Sequence, residues 1–433
     1  MTAEILEPRR RPTQERSHKK FDHLLQVARE LLLDVGFESF TCEEVASRAG
    51  LPIGTLYQFF QNKYVIVCEL DRVDAVAVRL ELRNFAEAIP SLDWLKFLDR
   101  LVDHMAAMWA GDPSRRAVLE RMHSSARIGT RYTALPIERY RDLGTFRETN
   151  ETFIRTATDL LERALRTALT DAGLTASDVD YVVFTSVTGI AAPSIDALLV
   201  SRLGLRPDIK RMPSYGLGCV GGAAGIARVN DYLVGHPGEV GVLLSVELCS
   251  LTLQRDDATM ANFVATGLFG DGAAAVVMVG DEHPAASGPV IVDTRSAIYP
   301  DTSEVIGFNV GGTGFEIVLT AGVADVIEGN FPIEVEEFLG DNDLTLETIN
   351  HWVAHPGGPK VLDAFGVALG LPEAAFELSW ESLAAVGNLS SASVLHVLAD
   401  TIAKKAPDAG DTAVLFALGP GVSAEFVLLK WMP

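Results

Sequence analysis

Three residues that could carry thiol chemistry stand at separate points of this 433-residue chain. Cys219 lies in the stretch SYGLGCVGGAAGIA, His355 in HPGG and Asn388 in GNLSSAS. The residues after Cys219 predict a small-residue helix, and a thiol at a helix start is close to the positive end of the helix dipole, which favours the thiolate. A Cys, a His and an Asn in separate loops are also expected of a nucleophile that is assembled in space.

Each of these residues has an ordinary structural interpretation as well. The glycines and alanines around Cys219 are equally compatible with tight helix packing around a buried, inert cysteine. His355 could be a hydrogen-bonded loop histidine, and Asn388 could cap the helix that follows it. Taken one at a time, the residues leave both interpretations open.

The elements that would position these residues follow from the hydrophobic pattern. Strand-like apolar runs alternate with helix-like stretches such as residues 151–172, and this alternation predicts an α/β architecture. The predicted strands lie in DYVVFTSVTG, GEVGVLLSVEL, AAAVVMVG, HWVAHPGG and TAVLFALGPG. Because open α/β sheets place ligands at the ends of strands, Cys219 and His355, which each follow a strand, are expected at such a site.

Five segments of this part resemble those of type III polyketide synthases, the chalcone-synthase-like enzymes. They are GLGCVGGAAG, GLFGDGAAA, HPGGPK, GNLSSAS and LGPG, in matching order and approximate spacing from about Met122 to the end of the chain. The resemblance implies a thiolase-like α/β fold of two similar βαβ-type halves. It begins after the point where such synthases have a first strand and helix, so the fold is expected to be N-terminally truncated. The surrounding sequence looks most like the bacterial branch that makes alkylpyrones from long acyl starters.

The resemblance also implies roles for particular residues. Cys219 is the expected nucleophile, His355 and Asn388 complete the catalytic trio, and Phe269 and Phe315 are the expected substrate-binding aromatic residues. The implied substrates are an acyl-CoA starter, expected to be long-chain, and malonyl-CoA, which give an alkylpyrone or a resorcinol-type product. The resemblance further implies a homodimer and no metal or prosthetic group.

Many plant relatives have basic residues just before the RY dipeptide, which is Arg131–Tyr132 here. This chain has Ser125 and Gly129 at those positions instead. Arg127, Arg131 and Lys360 are alternative candidates for binding the CoA phosphates.

The first part of the chain predicts three short helices. Apolar residues follow helical spacing from Phe21 to Val35, Gly36 predicts the end of that helix, and Thr41 with Glu44 predicts a capping box for the next. Gly50 closes this second helix, and LPIGTLYQFF begins a third after a tight turn, as in a helix-turn-helix.

The stretch FTCEEVASRAGLPIGTLYQFFQNKYVI resembles the DNA-binding segment of TetR-type repressors over residues 14–65. The resemblance makes residues 53–59 the recognition helix, with Thr55 and Tyr57 facing DNA and Lys63 near a phosphate. The alternatives are a helical domain without a DNA role and, for the whole chain, a regulator whose synthase-like part dimerises or senses acyl-CoA.

Charge and composition support two parts with different partners. Residues 1–63 carry nine basic and nine acidic residues, so the net charge of −22 resides on the remainder. We predict a helix-turn-helix at residues 1–65, connecting helices at 66–111 and the synthase domain at 112–433. No apolar run is long enough to span a membrane, and four cysteines without paired spacing favour a reducing, cytoplasmic setting without a zinc site.

Overall fold

The chain folds as two compact units, residues 1–124 and 125–433. The computed structural model describes residues 8, 9, 11, 12, 15–63, 65–67, 69, 70, 72, 73, 126–254, 257, 259–320 and 322–432. The connecting helices predicted at residues 66–111 therefore lie, from residue 74 onward, outside the described part. In the residues that the structure describes, no helix is both long and apolar enough to cross a membrane.

The first unit contains helices α1 (Glu15–Ser39), α2 (Cys42–Arg48) and α3 (Ile53–Tyr57) around a small core. Phe21 of α1 stacks on Phe60 with ring centroids 4.9 Å apart, which ties α1 to the segment after α3. Helix α1 continues three residues beyond Gly36, where the sequence predicted its end.

The predicted cap of α2 is half formed. The Thr41 hydroxyl accepts a hydrogen bond from the Glu44 backbone N–H at 3.2 Å. The Glu44 carboxylate instead accepts a hydrogen bond from Arg48 at 3.2 Å, so the structure shows the N-cap without the reciprocal bond of a capping box.

The second unit is an α/β structure, as predicted. Its helices are α4 (Phe146–Asp171), α5 (Ile195–Leu203), α6 (Gly221–Gly235), α7 (Met260–Leu268), α8 (Val323–Asp341), α9 (Pro359–Leu369), α10 (Glu377–Val386) and α11 (Ser393–Asp400). Its strands are β1 (Tyr181–Thr185), β2 (Lys210–Ser214), β3 (Val240–Leu248), β4 (Asp271–Val279), β5 (Pro289–Ile298), β6 (Ile306–Gly311), β7 (Gly314–Leu319), β8 (His351–Ala354), β9 (Thr412–Gly419) and β10 (Ser423–Trp431). Short 3-10 turns include Gly218–Val220 and Ser390–Ala392.

Two four-stranded sheets share one plan. The first has the order β2-β1-β3-β4 and the second β5-β10-β9-β8. In each, two parallel strands (β1 and β3, β8 and β9) are followed by an antiparallel one (β4, β10). The sheets are therefore two similar halves, and β6 and β7 form a separate hairpin.

The two sheets are separated by a helical layer. Side chains of α6 and α11 pack together with inward-facing residues of both sheets. Helices α4 and α5 cover the outer face of the first sheet, and α8 and α9 cover the outer face of the second. The second unit therefore has five layers. Cys219 follows β2 and His355 follows β8, so both loops lie next to the central layer.

Candidate active site

Cys219 lies in the 3-10 turn that leads directly into α6. The turn requires Gly218, whose φ of +54° is unfavourable for other residues and whose position leaves no space for a side chain beside Pro420. Gly222 lies against the Ser391 carbonyl, where a Cβ atom would clash. The small residues around Cys219 thus allow α6 and the LGPG loop to approach the thiol closely.

The thiol is in a desolvated environment. Burial raises the pKa of Cys219 to about 12, and hydrogen bonds with Ser390 and Asn388 act in the opposite direction. The Cys219 Sγ lies 3.7 Å from the Ser390 Oγ. The helix start was expected to favour the thiolate. Burial outweighs the hydrogen bonds here, so the raised pKa favours the neutral thiol.

His355 follows β8 and is 2% exposed. Its backbone N–H donates to the Phe416 carbonyl at 2.9 Å, which fixes the loop to β9. Neither ring nitrogen has a hydrogen-bond partner among the described residues. Burial lowers the pKa of His355 to about 3, so the imidazole is neutral. It can then donate a hydrogen bond to a ligand through one ring nitrogen and accept one through the other.

Asn388 is 1% exposed and is held in one orientation. Its Oδ1 accepts from the Ser390 N–H at 2.8 Å, and its Nδ2 donates to the Gly357 carbonyl at 3.0 Å, two residues beyond His355. The structure thereby links the loops of Asn388 and His355, while Ser390 links Asn388 to Cys219. The second amide hydrogen faces the Cys219 thiol, with which Asn388 also hydrogen-bonds.

A buried carboxyl group, Glu247 of β3, lies behind these residues and was not predicted from the sequence. It accepts hydrogen bonds from Ser391 Oγ (2.5 Å), Thr188 Oγ1 (2.9 Å) and Ser390 Oγ (3.3 Å). Burial raises the pKa of Glu247, which favours its neutral form. A lone acidic residue in the otherwise uncharged run GVLLSVEL is the sequence signal that could have identified it.

A narrow cavity opens beside Cys219. Phe269 lines it, as does Cys249, the other free thiol of the site. Most of its remaining walls are apolar and come from α7, the β6–β7 hairpin and neighbouring loops; the lining includes Leu253, Ala265, Ile306, Phe308, Ile317, Leu319 and Pro420.

Phe315 lies in β7 and is not among the cavity-lining residues. It is 1% exposed and packs against Phe146, Tyr215 and Phe308, with ring centroids 5.3 to 6.2 Å away. In this structure it supports the hairpin that walls the cavity, whereas Phe269 is in direct contact with the cavity.

The candidate CoA-phosphate ligands all have contacts within the protein. Arg127 forms an ion pair with Glu373 at 3.1 Å and stacks on Trp380 at 4.5 Å, and Arg131 donates to the Thr266 carbonyl. Lys360 lies in the first turn of α9, next to the HPGG loop.

The predicted DNA-contacting residues lie on and after α3. Thr55, Tyr57 and Lys63 are half-buried, whereas Ile53 and Gln58 are exposed. The Tyr57 hydroxyl donates to Glu43 at 3.1 Å, so part of this surface is held against α2.

Within the residues that the structure describes, no group of three His, Cys, Asp or Glu side chains is placed to hold a metal ion.

Comparisons with known proteins assign both parts of the chain. Residues 100–282 match the N-terminal domain, and residues 291–433 the C-terminal domain, of chalcone and stilbene synthases. A 1,3,6,8-tetrahydroxynaphthalene synthase of Streptomyces peucetius subsp. caesius is 53% identical over 318 residues, which is 73% of this chain and 84% of that protein. The chain belongs to the chalcone and stilbene synthase family. The family assignment makes it a chalcone-synthase-like acyltransferase, as the resemblance predicted.

Other relatives are bacterial type III polyketide synthases as well. An alpha-pyrone synthesis polyketide synthase-like protein of Mycobacterium tuberculosis is 30% identical, over 73% of this chain and 83% of that protein. The crystal structure of 1,3,6,8-tetrahydroxynaphthalene synthase from Streptomyces coelicolor superposes with a TM-score of 0.72 at 29% identity, covering 76% of this chain and 94% of that one. The thiolase-like fold is thus confirmed.

Residues 24–70 match the bacterial regulatory proteins of the TetR family. The predicted helix-turn-helix is therefore confirmed as a family assignment.

Proposed function

We propose that the second unit loads an acyl-CoA starter onto Cys219 as a thioester and extends it with malonyl-CoA. The observation that carries the proposal is the site itself. Cys219 lines an apolar cavity, and its thiol has Ser390 and Asn388 as hydrogen-bonding partners. Asn388 also joins its loop to that of His355, whose ring nitrogens have no partner among the described residues. A protein that only sensed acyl-CoA would have no need of the thiol.

The pKa shifts define the loading step. Because Cys219 rests as a thiol and His355 as a neutral imidazole, the proton must leave Sγ as the sulfur attacks the starter thioester. The His355 ring, whose nitrogens have no partner among the described residues, relays that proton to the departing CoA sulfur as the Cys219 sulfur attacks, so no imidazolium accumulates. The acyl group then occupies the cavity that Phe269 lines.

Extension requires hydrogen-bond donors for a developing enolate. Loss of CO₂ from malonyl-CoA leaves its electron pair as an enolate, whose oxygen would accept from Asn388 Nδ2 and from His355 in its N–H form. The enolate carbon then attacks the Cys219 thioester, which forms the new carbon–carbon bond and releases the Cys219 sulfur. The chain grows as the CoA thioester and closes its ring in the cavity.

The proposal also covers which starter the enzyme uses and which product it makes. The apolar walls of the cavity support an acyl starter, for which a long chain and a pyrone or resorcinol-type ring are predicted. The name of the 53% identical relative favours a polyhydroxylated aromatic product instead. Radiolabelled malonyl-CoA, offered alone and with a panel of acyl-CoA starters, separates these outcomes, because only an acyl-primed product requires the second substrate. Absence of product under all conditions would contradict the synthase proposal.

We propose DNA binding as a second function, carried by the first unit. Its match to TetR-type proteins and its formed helix-turn-helix support this activity. The Arg9 backbone N–H donates to the Phe59 carbonyl at 2.8 Å, which places the start of the basic segment beside the end of α3, whereas Arg11 is paired with Glu69 at 3.3 Å. Selection from a random duplex library tests the proposal.

A further inference from the structure

The β6–β7 hairpin forms one wall of the cavity beside Cys219. Its cavity-lining side chains include two cross-strand pairs, Ile306 with Leu319 and Phe308 with Ile317. All four are apolar and occupy alternate positions along their strands, so they lie on one face of the hairpin. The width of the narrow cavity therefore depends on how closely this face approaches the thiol.

The two ends of the hairpin are held in different ways. At its base, Ile306 and Leu319 pack against the hydrophobic core of the second sheet. At its turn, the hydrogen bonds that join the hairpin to other elements, within the described part of the chain, both involve the side chain of Gln254. Thr313 Oγ1 donates to Gln254 Oε1 at 2.7 Å, and Gln254 Nε2 donates to the Phe315 carbonyl at 3.0 Å.

Gln254 is itself fixed by its neighbours. Its Nε2 donates a second hydrogen bond to the Thr252 carbonyl at 3.1 Å, so the partners define which end of the amide is the nitrogen and which is the oxygen. The backbone carbonyl of Gln254 accepts from Asn262 Nδ2 at 2.7 Å. Thr252 and Asn262 both line the cavity. One amide therefore ties the turn of the hairpin to two other parts of the cavity wall.

We propose that Gln254 is a positioning residue, which holds the hairpin closed and thereby limits the size of the acyl group that Cys219 can carry. The inference rests on the loading step proposed above. A glutamine that only faced solvent would leave its amide to water, whereas the half-buried Gln254 uses both amide hydrogens and its oxygen within the protein. A separate two-stranded hairpin is marginally stable by itself, so its outside contacts determine the position of its turn. Loss of the amide should let the turn move outward and admit a longer acyl chain.

The test compares the full parent chain with Gln254→Met, which keeps the length of the side chain and removes the amide. Each protein is incubated with an equimolar mixture of hexanoyl-CoA and hexadecanoyl-CoA, and both adducts of the Cys219 peptide are quantified by mass spectrometry. We expect the ratio of hexadecanoyl to hexanoyl adduct to rise by about tenfold, as the loss of one or two hydrogen bonds allows. Amide hydrogen exchange in residues 306–319 should accelerate by a similar factor. A general loss of folded protein would lower both adducts and leave their ratio unchanged.

Substitutions at Thr313 test the same contact from the hairpin side. Thr313→Val removes the hydroxyl donor and should shift the ratio in the same direction by a smaller factor, whereas Thr313→Ser keeps the donor and should behave as the parent. In the Gln254→Met background, Thr313→Val should add nothing, because the partner of the hydroxyl is already absent. Asn309→Met makes a comparable polar-to-apolar change at an exposed β6 residue outside the cavity lining, and should leave the ratio unchanged.

Three results would overturn the inference. Unchanged hydrogen exchange in Gln254→Met would show that the amide does not hold the hairpin. Faster exchange with an unchanged adduct ratio would show that the hairpin does not limit the length of the acyl group. In both cases the parent still forms its adducts, so the proposed loading step stands. A parent that forms no adduct with either acyl-CoA would instead contradict the loading step, and the inference would be overturned with it.

Discussion

At the scale of single residues, the structure distinguishes two thiols that line the same cavity, the half-buried Cys219 and the buried Cys249. Cys219 has hydrogen-bonding partners and lies at the start of α6, whereas burial and the nearby Glu247 and Asp271 carboxyls raise the pKa of Cys249. We expect incubation with an acyl-CoA to give a covalent adduct on the peptide that contains Cys219, detected by mass spectrometry. Cys249→Ala should retain the adduct and Cys219→Ala should lose it. Labelling confined to Cys249 would contradict the assignment of the nucleophile.

The resting charge state of the site predicts a particular pH dependence. A thiol with a pKa near 12 beside a neutral imidazole reacts through its small thiolate fraction. As long as the pH stays below that pKa, this fraction increases tenfold for each unit by which the pH rises. Alkylation of Cys219 by iodoacetamide should therefore rise steadily from pH 7 to pH 10. The rate is measured by mass spectrometry of the Cys219 peptide, with a short thiol peptide as reference. A plateau near neutral pH would instead indicate a thiolate–imidazolium pair.

Asn388 has both a structural and a proposed chemical role, and the two can be separated. Asn388→Ala removes the proposed donor to the enolate, so malonyl-CoA decarboxylation should fall by about 10²–10³. It also removes the acceptor of the Ser390 N–H, so the melting temperature is measured alongside the rate. Asn388→Asp keeps the acceptor for the Ser390 N–H but sets a carboxylate oxygen against the Gly357 carbonyl, so it should also be slow and should have a lower melting temperature than the parent. Decarboxylation by Asn388→Ala at the parental rate would show that the donor is another group.

At the scale of elements, helix α6 provides a test of why small residues follow the thiol. A Cβ atom at Gly222 would clash with the Ser391 carbonyl, and a backbone atom there has little freedom to move. Gly222→Ala should lower the free energy of unfolding by about 1–3 kcal/mol, the usual cost of overpacking. Gly235, at the other end of the same helix, has open space around its Cα. Urea unfolding of Gly235→Ala should therefore show little or no destabilisation, and equal effects at both sites would contradict the packing argument.

The sequence predicted those helices and strands that have a recognisable pattern within their own residues. Apolar runs predicted β1, β3, β4, β8 and β9, and the small-residue stretch predicted α6. Strand β2 was expected only as a strand end before Cys219, because its sequence, KRMPS, has no apolar run that would mark its bounds; pairing with β1 defines it. The predicted end of α1 was wrong because one glycine was taken as a stop, although a single glycine costs a helix only about 1 kcal/mol.

The site was predictable in part for the same reason. Motifs identified Cys219, His355 and Asn388 as candidates, and the structure brings their loops together. The Glu247 network was missed because its members are distant in the chain and meet only when β3 packs against the loop of residues 390–391. The place of Phe315 behind the cavity wall likewise depends on the orientation of a hairpin that no local pattern fixes.

At the scale of the whole molecule, the two units carry very different charge. The helix-turn-helix segment is neutral overall, and the acidic excess of the remainder gives the chain a net charge of −22. Long-range repulsion from that excess opposes loose attachment to a polyanion. Any stable DNA complex must therefore depend on close contacts by the first unit, and two-fold sites require two such units together.

We expect the chain to be a dimer by light scattering, because the second unit would replace the dimerisation domain of TetR-type repressors. Selection from a random duplex library at moderate salt should then enrich a palindromic site, with weak binding to other DNA that falls steeply as salt rises. Tyr57→Ala removes a side chain from α3 and should abolish enrichment. Gln26→Ala changes an exposed residue on α1, away from α3, and should leave it unchanged. A monomeric chain, or a library that stays unenriched, would mean that the first unit does not bind palindromic DNA sites as a dimer. Condensation of malonyl-CoA, measured on the same samples, shows independently whether the second unit is active.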